Sequence, residues 1–177
     1  MEIAKGKKLF ACKIIPTRGA WLEIESEGNG FIGVKIDRKR KAPVSQLLKI
    51  FGFQNNLEIR KYFSEVDSGD LRYMESTLKN DPADTPDNSF LEIYDRLRPG
   101  DLTTVDNAKS LIEGMFTRFD RYDLGLVGRF KFNQRLNLNK ENRTLDKEDI
   151  ASVVKELIRL NNDSHAVADD IDDLGNR

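Results

Sequence analysis

Apolar and polar residues alternate along the first 37 residues of the chain, and this alternation predicts β-strands. Segments 8–16 (KLFACKIIP) and 20–27 (AWLEIESE) repeat with a period of two, and segment 31–37 (FIGVKID) is rich in β-branched residues. Gly19 separates the first two segments, and the Gly-Asn-Gly at 28–30 is a turn signal before the third. The pattern predicts an N-terminal antiparallel β-meander.

From about residue 43 onward the apolar residues recur at helical spacing, which predicts a mostly helical remainder and an α+β fold. Pro43 suits the first turn of the first helix, and Gly52 suits its end. Further predicted helices cover about 55–64, 71–78, 87–97, 103–116, 124–137 and 146–158. Asp87, Asp146 and a capping box of Thr103 with Asp106 are expected to begin three of them.

The composition is that of one globular domain. The chain has 177 residues, of which 38% are hydrophobic and 33% charged, and this is enough for a single core. No apolar run approaches the roughly 20 residues of a membrane span, and the N-terminus lacks the pattern of a signal peptide. The single cysteine, Cys12, excludes an internal disulfide and is expected to face the core. We therefore expect a cytoplasmic protein without membrane contact.

The net charge of −1 conceals a strong segregation of charge along the chain. Residues 1–61 carry 13 basic and 6 acidic side chains, a net charge of +7, whereas residues 62–117 carry 5 and 12, a net charge of −7. Residues 118–145 carry 7 and 3, a net charge of +4, and residues 146–177 carry 4 and 9, a net charge of −5. Such a chain can present a basic face to a polyanion, although chance clustering of solvated charges is the alternative.

Few residues of the chain suit catalysis. His165 is the only histidine and no CxxC is present, so a transition-metal site is not expected. The chain also lacks the phosphate-binding patterns GxxxxGK(S/T) and GxGxxG, and it has no Ser/His/Asp set with a local signature. The remaining candidate is the acidic run at 168–177 (ADDIDDLGNR), which by itself fits either a metal site or a solvated tail.

Four stretches stand out together by their wording, order and spacing. They are 13–25 (KIIPTRGAWLEIE), 34–44 (VKIDRKRKAPV), 96–133 (RLRPGD…RYDLGLVGRFKFN) and 169–177 (DDIDDLGNR). They resemble the lobe domain of the β subunit of bacterial RNA polymerase, and the similarity covers about residues 8–61 and 88–177. The chain departs from the family at Thr17, Ala20 and Asp173, where the family usually has Tyr, Ser and His.

The resemblance implies a single lobe domain over residues 1–177, excised from a longer subunit that continues past Arg177, with Met1 added. Segment 66–86 is shorter than the insertions common in the family, which indicates a minimal lobe. The chain would be part of a nucleotidyltransferase but would itself hold no catalytic residue, metal ion or cofactor, since the magnesium-binding aspartates belong to another subunit. It would line the downstream DNA channel and hold the nontemplate strand, with the remaining polymerase subunits, sigma and other transcription factors as partners.

The resemblance also assigns base contacts to particular residues. Asp172 would accept the N1–H and N2–H donors of an unpaired guanine in the nontemplate strand. Ile171 would pack on that base, and Arg177 would add positive charge. Trp21 would stack on a neighbouring unpaired base, whereas without the resemblance a lone tryptophan is more often a core residue.

A run of basic residues ends the third predicted strand. It consists of Arg38, Lys39, Arg40 and Lys41. The resemblance places this run along the DNA channel in contact with phosphates, and the alternative is a solvated run that protects a sheet edge. Arg129 and Lys131 would extend the same surface, whereas Tyr122 and Asp123 are expected to be structural and to fix the turn before a helix.

Two other interpretations stay open. A stand-alone nucleic-acid-binding or factor-docking module derived from a lobe would share these motifs, and a gene that continues past Arg177 into β-subunit sequence would exclude it. A small hydrolase with an acidic site is the third hypothesis, and it would require measurable binding of a divalent metal ion.

Overall fold

The structure is a computed structural model and describes residues 2–4, 7–69 and 71–163. Its strands are β1 (Glu2–Ala4), β2 (Lys7–Leu9), β3 (Ala11–Ile14), β4 (Leu22–Ser26), β5 (Ile32–Ile36) and β6 (Ala42–Pro43). Its helices are α1 (Val44–Ile50), α2 (Asn56–Phe63), α3 (Tyr73–Lys79), α4 (Pro86–Leu97), α5 (Val105–Thr117), α6 (Gly125–Leu136) and α7 (Lys147–Asn162). Within this part of the chain, no helix is long and apolar enough to cross a membrane. The order of the elements confirms the predicted α+β fold.

Strands β3 to β6 form one antiparallel sheet in sequence order, which confirms the predicted meander. Leu22 of β4 pairs with Ile14 of β3 on one side and with Ile36 of β5 on the other. Helices α1 and α3 pack against β5. Leu22 and Ile36 are buried as a result, and the sheet forms one wall of the core.

The first predicted strand, over residues 8–16, is divided in the structure. Strand β2 pairs with β1 in a separate hairpin, and β3 begins only after Phe10. The buried Phe10 donates its backbone N–H to the side-chain oxygen of Asn161 in α7, at 3.0 Å. The prediction of one continuous strand was wrong because a side chain from the far end of the chain takes this backbone donor.

Helices α2, α4, α5 and α7 begin with a side-chain cap, and two of the predicted caps need correction. Asp146 caps α7 as predicted, and it forms a reciprocal capping box with Asp149. The cap of α4 is Thr85 and not Asp87, because Pro86 fits the first helical position and starts the helix earlier. The cap of α5 is Thr104, one residue after the predicted Thr103.

Helix α1 lies inside the core, and each of its residues is buried. Three of its charged and polar side chains converge on Asp81. Lys49, which is 1% exposed, lies 3.0 Å from Asp81 and also donates to the Ala83 carbonyl. Ser45 and Gln46 donate to the same carboxylate at 2.5 and 3.0 Å. A buried charge of this kind is tolerated only because its partner and hydrogen bonds are in place.

Cys12 in β3 is half-buried and packs against the hydrophobic core. Burial raises the pKa of its thiol to about 11. The thiolate, which is the nucleophilic form of cysteine, is therefore scarce at neutral pH. This confirms the prediction that Cys12 faces the core.

Candidate nucleic-acid interface

Trp21 lies directly before β4 and is held there by the turn that follows β5. Its backbone N–H donates to the Asp37 side chain at 2.8 Å, and its carbonyl accepts the Asp37 N–H at 2.9 Å. Asp37 and Arg38 both have left-handed backbone angles, with φ of 51° and 61°, and the Lys39 N–H closes the turn on the Ile36 carbonyl at 3.0 Å. Two consecutive residues with positive φ are the mark of a type I′ turn, so this turn is tight and well defined.

The Trp21 side chain is half-buried, so it is neither a core residue nor fully exposed. The guanidinium carbon of Arg38 lies 5.1 Å from the centre of the indole ring, within the range of a cation–π contact. The turn at 36–39 therefore brings together two of the predicted DNA-binding residues, the Trp21 ring beside it and the Arg38 cation on it. Arg38 itself is exposed to solvent.

The rest of the basic run divides into residues with and without acidic partners. Lys41 lies 3.2 Å from Glu25 and 2.9 Å from Glu27, and although burial alone would lower the pKa of Lys41, the hydrogen bonds to these carboxylates raise it. Arg40 forms an exposed ion pair with Asp95 at 3.4 Å. Lys39 is exposed, and none of the acidic groups in the described segments lies within ion-pair distance of it. Lys41 thus fastens β6 to β4, whereas Arg38 and Lys39 keep their charges in solvent, with no carboxylate of the described residues within ion-pair distance.

Another set of contacts joins the β3–β4 connection to the turn before α6. Arg18 and Asp123 exchange backbone hydrogen bonds of 3.1 and 2.8 Å. The Asp123 carboxylate accepts from Nε and Nη2 of Arg143 at 2.8 and 2.6 Å and from the Gly125 N–H at 2.7 Å. The hydrogen bonds from Arg143 are the main reason that the pKa of Asp123 lies below its usual range. Asp123 fixes the turn before α6, as predicted.

Tyr122 lies fully buried beneath this connection, and burial raises the pKa of its hydroxyl. Gly19 crosses directly over it with a φ of 120°, and a Cβ at this position would come 2.7 Å from the tyrosine ring. Only glycine fits both the backbone angle and the space. The Tyr122 ring therefore supports the β3–β4 connection, which carries Arg18 and Trp21. This contact confirms the predicted structural role of Tyr122.

Arg129 has a structural role instead of the predicted surface role. It is 3% exposed and forms two hydrogen bonds of 2.8 Å with the Asp149 carboxylate. It also donates to the carbonyls of Asn142 and Thr144, at 2.5 and 2.8 Å. These contacts use the fork of the guanidinium to tie α6 to α7, so no part of Arg129 is left for DNA. Lys131, its predicted neighbour on that surface, is half-buried.

Comparison with known proteins places the chain in a family. A family model described as RNA polymerase Rpb2, domain 2, matches residues 4–177. The chain belongs to this family. The DNA-directed RNA polymerase subunit beta of Dehalococcoides mccartyi is 44% identical over 180 residues, which cover 98% of this chain and 14% of the relative. The same subunit of Alkaliphilus oremlandii is 46% identical over 149 residues, which cover 84% of this chain and 11% of the relative.

The resemblance drawn from the motifs is thereby confirmed, and the chain is a lobe domain of the RNA polymerase β subunit. The chain spans only 14% and 11% of the length of these two relatives. Three of the predicted DNA-binding residues of this lobe, Ile171, Asp172 and Arg177, lie outside the described residues, as do His165 and the neighbouring aspartates.

Sequence reasoning missed one basic and aromatic cluster in the lobe. Phe119 is 52% exposed, and the guanidinium carbons of Arg18 and Arg143 lie 5.2 and 5.0 Å from its ring centre. The stretch TRFDRYD (117–123) alternates basic with aromatic residues, and this was the available signal. It could not be interpreted alone because Arg18 and Arg143 come from distant parts of the chain.

Proposed function

We propose that this lobe domain helps to line the downstream DNA channel of a bacterial-type RNA polymerase and to hold the nontemplate strand. The observation that carries the proposal is the Trp21–Arg38 pair, an aromatic ring and a cation brought together by one tight turn. Aromatic rings that stack on bases beside cations that contact phosphates are the usual means of binding a single strand without reading its sequence.

The turn fixes the position of Trp21 relative to Arg38. Asp37 holds the Trp21 backbone through two hydrogen bonds, so little backbone freedom at this residue remains to be lost when a base stacks on the ring. A base on Trp21 contributes about 1–3 kcal/mol whatever its identity. Arg38 supplies exposed positive charge beside the ring, and the exposed Lys39 follows it on the same turn. Phosphate contacts of this kind position the strand without selecting a sequence.

Base selection in the proposal rests with Asp172, which the resemblance places in a pocket for an unpaired guanine. An ionised carboxylate accepts two hydrogen bonds, and the Watson–Crick edge of guanine offers the N1–H and N2–H donors side by side. Ile171 would cover the face of the base, and Arg177 would add charge. Trp21 would then hold the neighbouring base.

The wider assignment follows from the family and is part of the same proposal. Residues 1–177 would form one domain of a longer β subunit that works in the cytoplasm with the other polymerase subunits, sigma and further transcription factors. The downstream duplex would lie along the face that carries Arg38 and Lys39. We assign no catalytic step, metal ion or cofactor to this domain.

The test is the lifetime of promoter complexes formed by a polymerase whose β subunit carries this lobe. Trp21→Ala should shorten the lifetime roughly five- to hundredfold, since 1–3 kcal/mol of stacking is lost. Trp21→Phe keeps an aromatic face and serves as the control, with a loss of only a fewfold. Lifetimes with Trp21→Ala that equal those of the unaltered enzyme would refute the proposed stacking role.

A further inference from the structure

The cluster around Phe119 brings together three connections that are far apart in the sequence. Arg18 lies between β3 and β4, Phe119 between α5 and α6, and Arg143 between α6 and α7. The two guanidinium carbons lie 5.2 and 5.0 Å from the centre of the phenyl ring. Phe119 contacts two arginines but is exposed and is not part of the hydrophobic core.

The two arginines are held by bonds as well as by the ring. Arg18 Nη2 donates to the Phe119 carbonyl at 2.5 Å, and its backbone is paired with that of Asp123. Arg143 holds the Asp123 carboxylate through Nε and Nη2. Each guanidinium is therefore oriented before any ligand arrives, and less side-chain entropy is lost on binding.

The charge of the cluster is not balanced within the described segments. Asp123 is the one carboxylate there that lies within 4.0 Å of either arginine, and it is 2.6 Å from Arg143 but 4.0 Å from Arg18. The side chains of Arg18 and Arg143 remain 47% and 33% exposed, whereas that of Asp123 is 6% exposed. Two partly exposed guanidinium groups thus face solvent over one largely covered carboxylate, and an anion is the ligand that this arrangement suits.

We propose that Arg18, Phe119 and Arg143 form a second nucleic-acid contact, which binds the phosphodiester backbone of the strand whose base stacks on Trp21. This inference rests on the proposed function. Arg18 precedes Trp21 by only three residues, so their Cα atoms lie within about 10 Å of each other. The guanidinium groups bind the phosphate, and the ring orients them instead of stacking on a base.

The experiment measures binding of the full 177-residue chain to a fluorescent 12-nucleotide oligothymidylate by anisotropy, at several salt concentrations. Each phosphate contact with a single strand contributes about 0.7 to the slope of log affinity against log salt. Arg18→Gln should therefore reduce the slope by about 0.7. Phe119→Ala keeps both charges, so it should lower the affinity about two- to tenfold through lost preorganisation while leaving the slope unchanged.

Arg60→Gln is the matched control, because the Arg60 side chain is also 47% exposed, is paired with one carboxylate and lies on α2. A melting curve for each variant verifies that it is folded. A slope for Arg18→Gln equal to that of Arg60→Gln overturns the inference, as does an absence of binding by the unaltered chain. If Arg38→Glu with Lys39→Glu flattens the slope and Arg18→Gln does not, the inference fails while the proposed function stands. If neither variant changes the slope, the inference fails, and so do the proposed phosphate contacts of Arg38 and Lys39.

Discussion

Arg38 and Arg129 carry the same guanidinium group in opposite surroundings, and the surroundings decide what each can bind. Arg38 is exposed above the Trp21 ring, with no carboxylate in the described segments holding it. Arg129 is buried, and its two terminal nitrogens, Nη1 and Nη2, both donate to the Asp149 carboxylate. Both arginines occur in basic and apolar stretches, and only their partners distinguish a ligand contact from a structural tie.

At the residue scale we first predict a base-specific effect of Asp172→Ala in the polymerase. Promoter complexes with guanine at the pocket position should lose about 1–3 kcal/mol relative to those with another base, because only guanine presents two donors to the carboxylate. Competition-decay assays on promoters that differ at this base would measure the shift. Trp21→Ala is the comparison, and it should weaken both complexes alike. An equal loss for every base with Asp172→Ala would identify the aspartate as a structural residue.

A second prediction at this scale concerns Gly19. Gly19→Ala should lower the free energy of unfolding by roughly 1–3 kcal/mol more than Gly100→Ala, as measured by urea titration. Both positions have positive φ, 120° and 79°, so both variants carry the cost of a left-handed backbone. The new Cβ at Gly19 would also meet the Tyr122 ring at 2.7 Å, whereas Gly100 has no atom within 4 Å of that position. Equal losses would show that the close approach is relieved without cost.

At the scale of elements, a buried ion pair joins α6 to α7. Asp149 accepts the Asp146 N–H within the capping box at 3.1 Å and also holds both Nη atoms of Arg129 at 2.8 Å. The Asp149 carboxylate thus takes part in the cap of α7 and also anchors α6. The side chains of this pair are 4% and 0% exposed, so neither charge has water as an alternative partner.

We therefore predict that Asp149→Asn lowers the free energy of unfolding by about 3–5 kcal/mol, because it leaves a buried guanidinium without its anion. Asparagine keeps an oxygen for the Asp146 N–H, so the loss reports on the charge and not on the cap. The control is Asp120→Asn, whose pair with Arg118 is 63% and 58% exposed and should contribute no more than about 1 kcal/mol. Chemical denaturation of both variants provides the measurement, and similar losses would contradict the prediction.

At the scale of the whole molecule, the segregated charges are largely tied together in the folded state. Basic stretches of the sequence meet acidic ones, as in Lys49 with Asp81 or Arg129 with Asp149. In the described part of the chain, the exposed cations Arg38 and Lys39 have no carboxylate within ion-pair distance, and they define a basic surface beside Trp21. Net charge along the sequence therefore overstates the basic surface that the folded domain presents.

These ion pairs predict a loss of stability in acid. Hydrogen bonds from Arg143 hold the pKa of Asp123 below its usual range, and those from Arg159 do the same for Glu156. The unfolded chain binds protons at higher pH than these folded carboxylates do, so their contribution is complete above the unfolded values of about 4 and is lost as the pH falls through the folded ones.

Urea midpoints at pH 7, 5 and 3 should therefore change little at first and then fall. Asp123→Asn should reduce the size of the fall, since it removes one of the groups responsible. Asp67 makes the opposite contribution to the change of stability with pH, because burial raises the pKa of its carboxyl. A midpoint at pH 3 equal to that at pH 7 would contradict the prediction.

Much of the fold was predictable because its signals are local. Strand alternation predicted the meander, and the change to helical spacing near residue 43 predicted the boundary with α1, which begins at Val44. Asp146 was identifiable as a cap because its partner, Asp149, lies three residues away. The motif around Trp21 and the basic run also sufficed to indicate the polymerase lobe family, since such motifs are short segments of sequence.

The sequence by itself thus determined the class of fold, the position of most elements and the family of this lobe domain. Only the tertiary structure decided that Asn161 divides the first strand at Phe10, that Arg129 belongs to the core, and that Arg18 and Arg143 meet over Phe119. The reason is the reach of the forces involved. Periodicity and capping act between near neighbours, whereas burial and ion pairing depend on which distant residues the finished fold brings into contact.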